Sequence, residues 1–151
     1  MAPIEKITDN NAARQPFIPV MRELVRAYQA FESYDAEHIR AYGITAPQAD
    51  VIFTLGNTKG MVFKEIGERT LITKGTLTGV IDRLESKGLV KRTACPKDRR
   101  RMYVVLTSKG EKVFKNVFPE HIAHLKQRFD RLSKAEMKQA EVLLKKIRNL
   151  F

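Results

Sequence analysis

Residues 73–107 read TKGTLTGVIDRLESKGLVKRTACPKDRRRMYVVLT, and two different periodicities follow one another within them. Leu77, Val80, Ile81 and Leu84 fall at i, i+3, i+4 and i+7, the apolar stripe of a helix with one buried face. Thr73 stands where an N-cap belongs, and Gly88 where a helix stops. Past Gly88 the pattern turns to two β-like runs, LVKRT at 89–93 and MYVVLT at 102–107, with Pro96 in the loop between them. That is a hairpin pattern with a long tip. The tip holds Lys97, Arg99, Arg100 and Arg101 within five residues, with Asp98 among them. Cations so close repel one another and gain nothing from packing, so an external polyanion is the natural reason to keep them there.

Working outward, FIPVMRELVRAYQAFESYDAEHIRAYG from Phe17 predicts one long amphipathic helix ended by Gly43, with Val20, Leu24, Ala27, Tyr28, Phe31 and Tyr34 on one face. Thr45 and Gln48 have capping-box spacing at the head of a short helix that Gly56 closes. MVFKEIGERTLI at 61–72 predicts a brief helix, with Val62 and Ile66 inward, and then a turn. After the hairpin, Thr107 opens a helix to about Arg131, with a kink expected at Pro119. Ser133 and Glu136 open a last helix whose apolar stripe is Leu143, Leu144, Ile147 and Leu150. The expected fold is mainly α with a small β-hairpin wing: a winged helix-turn-helix lobe at 45–107 inside a single domain, 1–151.

A helix entering the major groove reads base edges with its N-terminal residues. Here those are Thr73, Lys74, Thr76 and Thr78, while Gly75 and Gly79 keep the surface low for close approach. Arg83, one turn on, and Lys97 are candidates for phosphate, and the arginines Arg99, Arg100 and Arg101 for the narrow, electronegative minor groove. Asp98 makes better sense as an internal partner that fixes one guanidinium so that another points outward. A bland alternative, a solvated surface charge run, fits the tip less well because the tip follows directly on a helix pair.

TKGTLTGVIDRLESKGLVKR followed by DRRRMYVVLTSKG resembles the signature of the multiple-antibiotic-resistance regulator (MarR) family of winged-helix repressors. The family's D-R-R triplet matches Asp98, Arg99 and Arg100, and its L-T-x-x-G matches Leu106, Thr107 and Gly110. ITAPQADVIFTL and LSKAEMKQAEVLLKKI are similar to further family segments, so the likeness spans about 17–150. The resemblance implies a homodimer interlocked through its first and last helices, at 16–43 and 108–151, on a pseudo-palindromic double-stranded DNA operator. It implies Arg100 in the minor groove with Asp98 as its supporting carboxylate, repression of a neighbouring operon or of its own gene, and release by a small, often aromatic, effector. Tyr28, Phe31, Tyr34 and Tyr42 are candidates to line an effector pocket, although aromatic residues at helical spacing ordinarily signify burial. Two positions depart from the family: Cys95, where Asp is frequent, and Gly79, where Arg is frequent. They leave the bracing of the wing and the preferred operator open.

The totals agree with this reading. The chain has 151 residues, 43% hydrophobic and 30% charged, as in a globular domain, and a net charge of +11. Residues 59–112 contribute +8 of that charge, so the excess is concentrated around the hairpin. One cysteine excludes an intrachain disulfide, and no segment has the length of a membrane span, so a cytoplasmic location with no membrane partner is expected. Apolar residues in the terminal helices exceed what a small monomer could bury, which independently favours a two-fold dimer. His121 and His124, with Glu120 beside them, have spacing that a metal could bridge. No Cys or carboxylate set completes a site, so they are read as partly exposed helix residues, with no metal and no cofactor. Cys95 is read as a passive thiol rather than an oxidant sensor. There is no phosphate-binding glycine loop, no G-x-S-x-G and no defensible triad, which excludes an enzyme. A non-sequence-specific nucleoid or RNA-binding protein remains the alternative.

Overall fold

In the computed structural model, which describes residues 6–151, the elements run α1 (Phe17–Arg40), α2 (Ala46–Leu55), β1 (Met61–Val62), α3 (Phe63–Arg69), α4 (Lys74–Ser86), β2 (Val90–Ala94), β3 (Met102–Leu106), α5 (Ser108–Phe129) and α6 (Lys134–Arg148). A 3-10 turn at Ala12–Arg14 precedes them. The fold is mainly helical with a β-hairpin wing. The chain divides into two compact units, Met1–Glu37 and His38–Phe151. The first holds the 3-10 turn and most of α1; the second holds everything from the last residues of α1 onward.

Local chemistry explains where the helices of the second unit begin. At α2, Gln48 N–H donates to Thr45 Oγ1 at 3.3 Å while Thr45 N–H donates to Gln48 Oε1 at 3.1 Å, the reciprocal box that its spacing predicts. Ser133 and Glu136 make the same exchange at α6, at 3.1 and 2.7 Å. Thr107 does more. Its hydroxyl accepts from Gly110 N–H at 3.1 Å and donates to Gly88 carbonyl oxygen at 2.6 Å, tying the head of α5 to the end of α4. The glycine of the T-x-x-G motif is required by contact: a Cβ at Gly110 would stand 2.0 Å from the carbonyl oxygen of Leu89. Beyond it, α5 runs on through Pro119 as one helix.

The core gathers Val51, Ile52 and Leu55 of α2, Ile66 of α3, Leu77, Val80, Ile81 and Leu84 of α4, Val90 and Val104 of the sheet, and Phe114 and Val117 of α5. The four-residue stripe of α4 is therefore its buried face, at most 3% exposed. The sheet is antiparallel in the order β1-β3-β2, with β2 and β3 paired from Val90↔Leu106 to Ala94↔Met102.

One expectation is corrected here. Residues 61 and 62 are not the first turn of a helix; they form β1, a third strand, with Met61↔Val104 and Val62↔Tyr103. Gly60, at φ 106°, redirects the chain against β3, where a Cβ would press on the Val105 side chain at 2.4 Å. A two-residue strand is too short for its alternation to register in sequence. Val62, expected inward, is half-buried at the N-cap of α3, whereas Ile66 is fully buried.

The terminal helices are different. Nothing on α6 is buried, and Val142, Leu143 and Leu144 are each more than half exposed. Within the first unit, Phe17, Val20, Met21, Leu24, Val25, Tyr28 and Phe31 of α1 are also exposed. Among the described residues, no helix is long and apolar enough to cross a membrane.

Candidate nucleic-acid interface

At the head of α4, Thr73, Lys74, Gly75, Thr76 and Thr78 are all exposed. Thr73 occupies the N-cap position, but its side chain does not cap, contrary to expectation. Its hydroxyl instead meets the Thr76 hydroxyl at 3.1 Å. The Thr73 carbonyl takes the N–H groups of Thr76 and Leu77, at 3.0 and 2.9 Å. The N–H groups of Lys74 and Gly75 lie before the first intrahelical bonds, and such groups at a helix start attract phosphate. A Cβ at Gly75 would meet nothing within 4 Å, so the surface there is open. At Gly79 the guanidinium of Arg83 lies 4.0 Å from where a Cβ would be. Arg83 thus folds back along the exposed side of α4, over Gly79.

The wing tip is organised by Asp98. Its Oδ1 accepts the Arg100 N–H at 3.0 Å and lies 3.5 Å from Arg100 Nε. Its carbonyl oxygen accepts the Arg101 N–H at 3.0 Å, and the Arg101 carbonyl accepts from Cys95 N–H at 2.8 Å. The tip is closed by these bonds, yet the Arg100 side chain is 94% exposed. Lys97, Arg99 and Arg101 are exposed as well and form no ion pair among the described residues. Four cations therefore project from a tip whose backbone is fixed.

Cys95 is 4% exposed at the base of this tip. Burial pushes its thiol up, but the N–H groups of Lys97 and Asp98, the Tyr103 hydroxyl and the Arg101 cation together outweigh that and hold it below the ordinary thiol range. The Tyr103 hydroxyl is pushed up, chiefly by its hydrogen bond to Cys95.

The structure brings together residues that the sequence did not connect. Arg92 on β2 reaches Asp82 and Glu85 on α4. The only signal in the sequence was a pair of acidic residues three apart on the polar face of an otherwise cationic helix. His38, near the end of α1, places its Nδ1 2.9 Å from Nδ1 of His121 and stacks on His124 at 4.0 Å. His121 is buried at 3% exposure rather than partly exposed, because His38 and Phe53 pack against it. Among the described residues, no group of three or more His, Cys, Asp or Glu is arranged to hold a metal ion. Of the four aromatic candidates, Tyr28, Phe31 and Tyr34 belong to the first unit and Tyr42 to the second, where it lies edge-on to His38.

Comparison with known proteins converges on one family. A sequence profile of the MarR family matches residues 42–101, from the end of α1 through the wing tip. The HTH-type transcriptional regulator MhqR of Bacillus subtilis (strain 168) is 31% identical over 82% of this chain and 86% of its own length. Among solved structures, Bordetella bronchiseptica BpsR, whose DNA binding is regulated by 6-hydroxynicotinic acid, superposes with a TM-score of 0.76 at 29% identity, covering 85% of this chain and 92% of that one. Streptomyces coelicolor Sco3205, a MarR family regulator solved in complex with DNA, shares the fold with a TM-score of 0.79 at 22% identity, over 98% of this chain and 91% of its own.

Proposed function

The chain belongs to the MarR family of DNA-binding transcriptional regulators, and from that premise we propose how this member grips its operator. It is a transcription factor and not an enzyme. Two copies, joined through the helices at 16–43 and 108–151, present their lobes at 45–107 to a pseudo-palindromic duplex. The head of each α4 enters a major groove. There Lys74, Thr76 and Thr78 meet base edges, and Thr73 and Gly75 let the helix start approach closely. Arg83 and Lys97 hold phosphates. Arg100 enters the flanking minor groove, with Asp98 holding its backbone, while Arg99 and Arg101 add cationic contacts on either side. The observation that carries this reading is the wing tip, where one carboxylate fixes the backbone while an arginine 94% exposed projects beyond it.

Binding to its own or a neighbouring promoter blocks transcription, and a small aromatic acid releases it, as 6-hydroxynicotinic acid regulates BpsR. The protein works in the cytoplasm, beside the DNA. A gel-shift series with salt titration tests the reading against non-specific nucleoid or RNA binding. The protein should prefer its own upstream region over random duplex by roughly 10³-fold or more. Equal affinity for operator, random duplex and structured RNA would refute a specific regulator.

A further inference from the structure

Arg92 sits on β2 opposite Val104 of β3, with a side chain only 25% exposed. Its Nη2 donates to Asp82 Oδ1 at 2.5 Å and its Nη1 to Glu85 Oε1 at 2.9 Å. Its guanidinium carbon lies 5.6 Å from the centre of the Phe63 ring, at the first position of α3. One planar, always-charged fork therefore touches the wing, α4 and α3 at once. Asp82 raises the affinity of Arg92 for its proton most, ahead of Glu85, and burial only partly opposes it.

The two carboxylates are out of place on electrostatic grounds. Asp82 and Glu85 lie on α4, the helix the reading above brings to DNA, and their side chains are 58% and 42% exposed. Negative charge there works against binding a polyanion. Stability is a weak reason for it, since both carboxylates stay in contact with solvent and such pairs contribute little. What the fork does is fix direction. Without it, α4 and the wing would be held by their core contacts, by a short link whose turn is Gly88, at φ 72°, and by the Thr107 bonds to Gly88 and Leu89 at the foot of the hairpin. From Arg92 the wing reaches outward by about 15 Å, at about 3.3 Å per residue. A rotation of about 10° at its base would then carry the tip about 3 Å, more than a hydrogen bond tolerates.

We propose that Arg92 is a positioning residue that sets the angle between α4 and the wing, so that major-groove and minor-groove contacts can be made together on one half-site. Asp82 and Glu85 are the anchors through which it acts. The inference rests on the operator-binding reading above, and it makes a prediction opposite to simple charge counting.

The test is the double variant Asp82→Asn/Glu85→Gln, with Glu85→Gln alone in case the double variant does not fold. Operator and random duplex are titrated across a range of salt, and folding is followed by circular dichroism. Charge counting predicts tighter binding to both duplexes, because two negative charges are lost. Positioning predicts that operator affinity falls at least tenfold while random-duplex affinity holds or rises, so the specificity ratio collapses. Arg92→Lys keeps the charge but loses the fork, and should lower the operator affinity with the salt slope unchanged. An Arg92→Lys protein that binds operator as tightly as wild type would overturn the proposal, because the fork would then have no part in placing the wing. So would a folded Asp82→Asn/Glu85→Gln, or folded Glu85→Gln if only that one folds, that binds operator as tightly as wild type. If wild-type protein shows no operator preference, the reading of function fails instead, and the two failures are separable.

Discussion

Arginine supplies most of the wing's charge, but its residues do different work. Arg100 projects with almost no contact beyond Asp98, whereas Arg92 is surrounded by partners on three elements. Arg100→Ala should therefore weaken operator binding by about 1–3 kcal/mol, roughly 5- to 150-fold, with an unchanged melting temperature. Fluorescence anisotropy on an operator duplex, beside a thermal melt, would measure both. Unchanged affinity at physiological salt would remove Arg100 from the minor groove. Thr76 is different: its hydroxyl is held by Thr73 at 3.1 Å at the open start of α4. Thr76→Ala should alter which operator variant is preferred more than the overall affinity, and selection from a randomised half-site would show the shift. Legibility at this scale followed the kind of signal. A run of cations in a loop is visible as composition. The partnership of Arg92 with Asp82 and Glu85 depends on a strand lying across a helix ten residues earlier in the chain, and His38 meets His121 across 83 residues. No local pattern records either.

Helices with a closing glycine and a capping residue were readable almost to their ends, because the physics that fixes them lies within four residues. Thr45 with Gln48 and Ser133 with Glu136 are the clear cases. Thr73 has an equally good side chain and yet leaves its helix uncapped, since its hydroxyl found Thr76 instead. β1 was missed because two residues become a strand only when the edge of β3 is beside them. Glu136 gives this scale a pH dependence. Its carboxylate accepts the Ser133 N–H, and this bond holds its pKa below the ordinary carboxylate range. The folded chain therefore binds that proton less readily than the unfolded one. The contribution is complete above the ordinary glutamate value of about 4.3 and is lost as pH falls through the lower folded value. In thermal melts, the gap between wild type and Glu136→Gln should close as pH falls below the ordinary glutamate range; a constant gap would deny the capping charge its role. Gly110→Ala tests a junction instead. Its Cβ would stand 2.0 Å from Leu89 carbonyl oxygen, so α5 must move from the wing. A loss of about 3 kcal/mol in chemical denaturation is expected.

At the scale of the whole molecule, the sequence announced a surplus of apolar residues in its terminal helices, and the single chain leaves that surplus uncovered. On α6, which buries nothing, Leu143 is 59% exposed and Leu144 53%, and Phe151 is fully exposed just beyond it. Large contiguous apolar surface on a soluble chain ordinarily marks an interface. A two-fold pairing places the same face against itself and also doubles the cationic lobe, so that two half-sites are held at once. The second half-site then binds as an intramolecular event, and affinity for a palindrome far exceeds affinity for one half. Leu144→Glu puts a charge into that seam while leaving the core of the winged lobe untouched. In sedimentation the variant should run at the mass of one chain where wild type runs at two. Its affinity for the full palindrome should fall by roughly 10²-fold or more, toward that of a single half-site, while circular dichroism stays that of the folded protein. A variant that remains dimeric and binds the palindrome as before would exclude Leu144 from the seam, and with it the use of α6 as a dimer helix.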